Sequence, residues 1–253
     1  MSDTSRVCLV TGASRGIGAA VASALSHEGH RVALLGRDAA ALDQVGAGLP
    51  GPVLTALADV TDADAVEAAF SRVERIWGPV EVLVCSAGAA IAAPIVDTSD
   101  QDWARMLDLN LTAPFRLIRR ALPSMTEGGW GRIVVIASVV AKRGEAQVAA
   151  YTASKHGLLG LVRAAAAELA RSGVTVNAVC PGYVDTPMTD ATVEAIATRS
   201  GRGRDDARAS LARRQPIGRL IHPDEVADAV RFCVANAAVT GQGINVDGGS
   251  VQS

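Results

Sequence analysis

The sequence predicts a single α/β domain built on a doubly wound sheet of seven parallel strands. Three observations predict it. Short β-branched runs alternate with longer Ala- and Leu-rich stretches along the whole chain of 253 residues. Most of the short runs are apolar throughout instead of alternating, as strands are when helices cover both faces of a sheet. A glycine-rich turn follows the first run and opens a helix.

The strand candidates are 7–10, 31–35, 53–58, 82–85, 132–137, 175–180 and 243–246, and amphipathic helix candidates lie near 16–28, 38–47, 62–77, 100–125, 151–172 and 223–235. The first strand runs into Thr11-Gly12-Ala13-Ser14-Arg15-Gly16-Ile17-Gly18. Glycines there let the backbone turn tightly and bring N–H groups close to a pyrophosphate, and the helix N-terminus favours its negative charge. The spacing is G-x-x-x-G-x-G, and its place at the start of a strand–turn–helix unit fits a dinucleotide site. The second strand ends at Gly36-Arg37-Asp38. An NAD site normally sets an acid there for the ribose 2′-hydroxyl; here Gly36 leaves room and Arg37 offers a fork for a 2′-phosphate, with Arg15 in reach. NADP(H) is therefore expected over NAD(H), with Asp38 as the competing feature. After the third strand, Asp59-Val60 places a carboxylate for an adenine amino group; its alternative is to cap the helix that follows, as Thr61 also could.

Within 100–125, Asn110 is followed by Pro114, which lacks a backbone donor and should kink or restart the helix, freeing backbone groups beside Asn110. The run 132–137 ends at Ser138, whose hydroxyl should sit at the carboxyl edge of the sheet. Tyr151 and Lys155 open the helix 151–172 and share a face at i, i+4. A tyrosine near its ordinary pKa is a poor base, so the ammonium of Lys155, together with a positive nicotinamide, is expected to lower it toward operating pH. The segment 186–215 reads as an insertion above the sheet's carboxyl ends, where ligands bind in such folds. It carries Arg199, Arg202, Arg204, Arg208, Arg213 and Arg214. Gly201 and Gly203 predict a flexible stretch within it. The simplest reading of its charges is a solvated face on which the arginines pair with Asp190, Glu194, Asp205 and Asp206. The alternative is contact with phosphates of coenzyme A or with an acidic carrier protein.

Composition narrows the class. About half the residues are hydrophobic, a fifth are charged and the formal net charge is −2, which supports a packed core and argues against a nucleic-acid or anionic-membrane partner. Of the 24 basic residues only Lys142 and Lys155 are lysines. Cys8, Cys85, Cys180 and Cys233 form no C-x-x-C pair and read as buried reduced thiols. The four histidines lack metal-ligand spacing, so no metal is expected. The first residues lack the plan of a signal peptide, and a cytoplasmic location is expected.

Taken together, T-G-A-S-R-G-I-G at 11–18, Asp59-Val60, Asn110, Ser138, Y-T-A-S-K at 151–155, Pro181-Gly182, Val184-Asp185-Thr186-Pro187-Met188 and G-Q-G-I-N-V-D-G-G at 241–249 resemble the short-chain dehydrogenase/reductase family. Within it the chain is most similar to bacterial 3-oxoacyl-carrier-protein reductases and polyketide ketoreductases. The resemblance implies a Rossmann-type sheet ordered 3-2-1-4-5-6-7, and a homotetramer with interfaces on the helices at 100–125 and 151–172 and on the C-terminal strand region. It implies that Ser138 polarises a carbonyl, Tyr151 transfers the proton, Lys155 holds the nicotinamide ribose and tunes Tyr151, and Asn110 holds a water of a proton relay. Pro181, Gly182, Val184 and Thr186 would line the nicotinamide end. The family's N-N-A-G after the fourth strand reads Cys85-Ser86-Ala87-Gly88 here; Ala87 and Gly88 are expected to keep their approach to the ribose, while Ser86 is shorter than asparagine. Val140, Gln147, Val148, Tyr183 and Met188 are candidate pocket walls by position. The substrate implied is a ketone or secondary alcohol, first of all a 3-oxoacyl thioester. A small cyclic or aromatic secondary alcohol, with NAD(H) as a further option, is the rival substrate. A catalytically silent NADP(H) sensor or scaffold is the rival of another class, and the intact set of Asn110, Ser138, Tyr151 and Lys155 argues against it.

Overall fold

The computed structural model describes residues 5–252; the stretch 1–4, read above for a leader, lies outside the described residues, as does Ser253. Seven strands form one parallel sheet: β1 (Val7–Thr11), β2 (Arg31–Gly36), β3 (Val53–Leu57), β4 (Val82–Cys85), β5 (Gly131–Ile136), β6 (Val174–Pro181) and β7 (Gly243–Val246). Their order is β3-β2-β1-β4-β5-β6-β7, the order that the resemblance implies. Alternate residues of the same strands enter opposite cores. Leu9, Leu83, Ile133 and Val176 belong to one, with Phe70, Leu117 and Leu158. Cys8, Val82, Val134 and Val179 belong to the other, with Val21, Leu25 and Val230. Both faces are dry, which is why the strand sequences show no polar alternation.

There are nine α-helices among the described residues: α1 (Gly16–His27), α2 (Ala39–Ala47), α3 (Ala63–Trp77), α4 (Asp100–Leu107), α5 (Ala113–Glu127), α6 (Ala149–Glu168), α7 (Pro187–Ser200), α8 (Arg204–Arg213) and α9 (Pro223–Ala235). Three differences from the sequence reading have physical causes. The stretch 100–125 is two helices joined by a π-helical turn at Asp108–Thr112. Pro114 has no N–H to offer the carbonyl of Asn110 four residues back, so the α pattern breaks there, as expected from the proline. The cap of α3 is Asp62, which accepts from the N–H groups of Asp64 and Ala65, and neither Asp59 nor Thr61 fills that role. The arginine-rich segment is two helices, with Gly201 ending α7 in the left-handed conformation at φ +66° and Gly203 preceding α8. Its glycines mark a helix junction.

The order reverses between β1 and β4, and the carboxyl ends of β1, β4, β5 and β6 carry the sequence motifs to one edge. The π-turn presses Asn110 into that edge, where it is fully buried. Its Oδ1 accepts from the Ala89 N–H at 3.2 Å; its Nδ2 donates to the Ala89 carbonyl at 2.9 Å and to Ser154 Oγ at 3.3 Å. One side chain thus joins the loop after β4 to α6. Asn110→Ala would leave both Ala89 backbone groups without that partner, and a loss of about 1–3 kcal/mol is expected. The check is a urea-unfolding midpoint that falls while the slope stays constant.

Candidate active site

The glycine turn is shaped by close backbone approach. Gly12 and Gly16 have φ of +65° and +58°. A Cβ on Gly12 would lie 2.9 Å from the Ala87 backbone, and one on Gly18 only 2.2 Å from the Gly12 carbonyl oxygen. Thr11 Oγ1 accepts from the N–H groups of both Ser86 and Ala87, at 3.0 and 3.1 Å, pinning the end of β1 to the segment after β4. Helix α1 begins without a side-chain cap and without an acid in its first turn, and Arg15 precedes it. Its first N–H groups are therefore available to an external anion. A Cβ on Gly16 would lie 3.2 Å from Thr186 Cγ2, so the segment after β6 closes the other side of the turn. This cradle fits a pyrophosphate: small residues, free backbone donors and no competing carboxylate.

After β2 and β3 the competing readings separate. Asp38 is the N-cap of α2, and its carboxylate accepts from the Ala41 N–H at 3.1 Å. Arg37 is exposed and lies 3.4 Å from Asp59. Asp59 also accepts from the N–H and hydroxyl of Thr61, and these bonds, first the backbone one, hold its carboxyl below the ordinary range. Val60 is buried beside it.

The four candidate catalytic residues meet at the edge of β5. Ser138 directly precedes the turn Val139–Ala141 and accepts from the Val140 N–H at 3.3 Å. Helix α6 starts at Ala149, two residues before the sequence reading placed it, and its first turns carry Tyr151, Ser154 and Lys155 inward. Lys155 donates to the Ile136 carbonyl at 2.8 Å, and its Nζ stands 5.7 Å from the centre of the Tyr151 ring. The hydroxyl of Ser154 links this helix to Tyr151's own carbonyl at 2.7 Å and to Asn110.

The protein's own groups raise the Tyr151 phenol, whereas the lowering expected above combined Lys155 with a positive nicotinamide. Burial pushes the Tyr151 phenol up to about 12, and a hydrogen bond with Ser138 is the effect that pulls it down. Lys155 does not lower it: its ammonium lies over the ring and bonds a carbonyl, and desolvation drives its own pKa down to about 8. Both groups are pushed toward their neutral forms by the same dry surroundings. Tyr151 is thus held protonated at neutral pH, the state a proton donor needs.

Pro181 ends β6, and Gly182 follows where no side chain fits: a Cβ there would meet the Gln215 side-chain oxygen at 2.1 Å. Gln215, buried, accepts from the Tyr183 N–H at 2.9 Å and donates to the carbonyls of Tyr183 and Arg219. Val184 is buried and pairs in a bridge with Ile221; Thr186 precedes α7, and Met188 is half-exposed at its start. Val140 is buried in the turn after Ser138. Gln147 has φ +67°, unusual for a residue with a side chain, and its carbonyl accepts from the Ala93 N–H at 2.7 Å while Val148 bridges Ala93. Glu145 was not anticipated. Its carboxylate accepts from the Tyr183 hydroxyl at 2.7 Å and from Arg214 at 3.1 Å. Nothing in the local sequence around Glu145, Gln215 or Thr11 announces these bonds, because each spans a long stretch of chain.

Of the charges in the insertion, Arg208 pairs with Asp190 and Asp185, and Arg204 with Glu194 at 3.2 Å. Asp205 and Asp206 sit in the first turn of α8, where they favour the helix dipole, and form no ion pair among the described residues. The expected pairing is thus half met. The four cysteines are free and buried, and burial raises each thiol, Cys85 to about 12. Among the described residues no cluster of His, Cys, Asp and Glu could hold a metal, and no helix is long and apolar enough to cross a membrane.

A family model described as "Enoyl-(Acyl carrier protein) reductase" matches residues 12–251. The 3-oxoacyl-[acyl-carrier-protein] reductase MabA of Mycobacterium tuberculosis is 39% identical, over 97% of this chain and 92% of its own. Cis-4-hydroxycyclohexanecarboxylate dehydrogenase of Sinomonas cyclohexanicum is 40% identical over 96% of both. Among solved structures, a variant of actinorhodin polyketide ketoreductase with NADPH superposes with a TM-score of 0.92 at 40% identity, over 97% of both chains.

The Lys155 pKa has a consequence for stability. Between about 8, its folded value, and the ordinary 10.5, the unfolded chain binds more protons at this site than the native protein does. The contribution of Lys155 therefore makes stability rise with pH across that window. Denaturant unfolding of the ligand-free protein at pH 8 and pH 10 is expected to show the wild type gaining on Lys155→Met. A constant difference between the two would place the ammonium near its ordinary pKa.

Proposed function

Since the chain belongs to the short-chain dehydrogenase/reductase family, we propose that it is an NADP(H)-dependent ketoreductase whose substrate is a 3-oxoacyl thioester. The observation that carries this reading is the cluster of buried Ser138 and Lys155 with half-buried Tyr151 at the sheet edge, Tyr151 held protonated beside Ser138. NADP(H) supplies the hydride when bound. Ser138 donates a hydrogen bond to the carbonyl oxygen and holds it beside Tyr151. Tyr151 delivers its phenolic proton to that oxygen as negative charge develops there. Lys155 holds the nicotinamide ribose, and Asn110 fixes the backbone beside which a water of the proton relay is held.

The residues also fit the two phosphate-bearing parts of the cofactor. Gly12, Ser14, Arg15, Gly16, Ile17 and Gly18 hold the pyrophosphate at the start of α1. Arg37 takes the 2′-phosphate with Arg15; Asp38, the acid that would favour NAD(H), is engaged in capping α2. Asp59 and Val60 flank the adenine. Ser86, Ala87 and Gly88 approach the ribose, and Pro181, Gly182, Val184 and Thr186 line the nicotinamide. Val140, Gln147, Val148, Tyr183 and Met188 wall the substrate pocket. The thioester reading is supported by the names of MabA and the actinorhodin ketoreductase. A second reading, oxidation of a small cyclic secondary alcohol, is supported by the cis-4-hydroxycyclohexanecarboxylate dehydrogenase. The protein acts as a homotetramer in the cytoplasm on this reading. Exposed Trp103 on α4 and Phe115 on α5 supply apolar surface for one interface.

The direct test follows reduced-nicotinamide absorbance with acetoacetyl-CoA and either NADPH or NADH. Tyr151-dependent NADPH consumption is expected, with Tyr151→Phe losing about 10²–10⁴ of turnover while still binding NADPH. No consumption with either cofactor would move the assignment to a non-thioester alcohol. A separate expectation concerns the phosphate site. Arg37→Asp is expected to lower the NADPH-over-NADH preference by roughly ten- to a hundredfold, the loss of one charge-assisted bond. An unchanged ratio of kcat/KM would rule out Arg37 as the phosphate partner.

A further inference from the structure

The segment between Ser138 and Tyr151 carries one acid, Glu145, and the insertion reaches it from the other side. The Tyr183 hydroxyl donates to its carboxylate at 2.7 Å and Arg214 at 3.1 Å, while Arg143 lies 3.9 Å away. Tyr183 is itself held at its backbone. Buried Gln215 accepts from its N–H and donates to its carbonyl, and Gly182 before it has no room for a side chain. A hydroxyl fixed in this way fixes the carboxylate that accepts from it. The Glu145 side chain is 22% exposed, against 41% for Arg143 and 54% for Arg214. Water thus screens the two cations more than the acid, and they cancel its field incompletely.

Tyr151 is the group that this field reaches. Burial has the largest influence on its phenol and the bond with Ser138 opposes it; Tyr183, Glu145 and Cys180 add to the rise. Lys155, one turn along α6, stands over the ring and bonds the Ile136 carbonyl. Cys180 in turn faces Lys142 and Arg163. Burial raises both the Cys180 thiol and the Tyr183 phenol, so both are neutral at working pH. Among the groups that raise Tyr151, Glu145 is therefore the one that carries its charge under those conditions.

We propose that Glu145 is a positioning residue for the proton transfer: its carboxylate acts through space to keep the proton on Tyr151, and Arg214 is the countercharge that limits this effect. The proposal rests on the reading of Tyr151 as the proton donor. In reduction, hydride adds to the carbonyl carbon and the Tyr151 proton goes to the carbonyl oxygen, leaving a phenolate. In oxidation, the phenolate takes the alcohol proton as hydride leaves for NADP+. A negative charge beside a phenolate disfavours it and a positive charge favours it. Removing the charge of Glu145 therefore lets the phenolate form at lower pH, and removing that of Arg214 moves it to higher pH. Two substitutions that break the same ion pair thus act on the proton in opposite directions. Loss of a structural tether would act alike in both.

The test follows oxidation of 3-hydroxybutyryl-CoA by NADP+ as a function of pH. The rate rises where Tyr151 becomes phenolate. Relative to the wild type, the midpoint of that rise is expected about half to one pH unit lower in Glu145→Gln and higher by a similar amount in Arg214→Gln. Glu145→Asp, which keeps the charge, should lie close to the wild type. So should Gln147→Ala, which breaks the neighbouring bond to Arg199 without changing a charge. A second readout needs no turnover. The chain has two tyrosines, so the near-ultraviolet phenolate absorbance that Tyr151→Phe loses belongs to Tyr151. Followed after a rapid pH jump on the ligand-free protein, its midpoint should move in the same two directions. Midpoints that stay in place in Glu145→Gln, or that move the same way in both charge variants, overturn the proposal. If the thioester is not oxidised and the absorbance midpoints still diverge, the charge effect stands and the thioester reading falls. Turnover that survives Tyr151→Phe overturns both.

Discussion

The site depends on how closely the backbone after β4 approaches the end of β1. Glycine at position 12 permits the contact with Ala87, and the Thr11 hydroxyl holds it by taking two N–H groups. From there the constraint passes along the chain. A Cβ on Gly88 would stand 2.9 Å from Asn110 Oδ1, so glycine is what lets Asn110 reach Ala89. Asn110 in turn bonds Ser154, one residue before Lys155. A continuous run of short contacts thus connects the glycine turn to the helix that bears Tyr151. No single bond in it exceeds the net 0.5–1.5 kcal/mol of an ordinary hydrogen bond. Its members are mostly buried, however, so losing any one leaves a partner unsatisfied, and geometry at one end is communicated to the other.

The second ordering effect is desolvation. The same dry pocket raises the phenol of Tyr151 and lowers the ammonium of Lys155. Arguing from the i, i+4 spacing alone gives attraction between ammonium and phenolate, and that term is real in principle. In this protein the burial of both groups outweighs it, and the Ile136 carbonyl takes the ammonium's hydrogen bond. The outcome suits reduction, in which Tyr151 must begin with its proton.

How much of this was legible beforehand follows the range of the interactions. The strands were legible because both faces are buried and apolar runs result; β4 and β7 carry the boundaries read from the sequence. The glycine turn, Ser138, Tyr151 and Lys155 were legible because short motifs fix their spacing along one element. The π-turn was half legible: Pro114 announced a break, but which side chain the break would bury depends on Ala89 and Ser154, far off in sequence. Asp38 and Asp59 were ambiguous because a carboxylate after a strand caps a helix as readily as it binds a ligand; Asp38 caps α2, and Asp59 leaves the cap of α3 to Asp62. The bonds of Glu145 to Tyr183 and Arg214 and of Gln215 to the Tyr183 N–H were invisible, since they span 32 to 69 residues and no periodicity encodes such pairs.

The insertion shows a different logic from the sheet. Val193, Ala197, Ala207, Leu211 and Leu220 form a small apolar cluster separate from the two that sandwich the strands, with Tyr183 and Ile196 packed against it. A satellite cluster of this kind lets α7 and α8 keep their own packing. Across the pocket, its bonds to the segment before Tyr151 are polar and surface-accessible: Arg199 to Gln147, and Tyr183 and Arg214 to Glu145. Polar rim contacts of this sort contribute little to global stability, yet two of their members, Tyr183 and Glu145, also help to raise the Tyr151 phenol. Residues on this rim therefore reach the Tyr151 proton through charge alone, while the position of the ring is fixed by the run of contacts from Thr11 to Lys155. The insertion and the sheet are thus separate packing units joined by polar contacts, and the short motifs mark the sheet edge because only there is spacing along the chain fixed by strand and helix geometry.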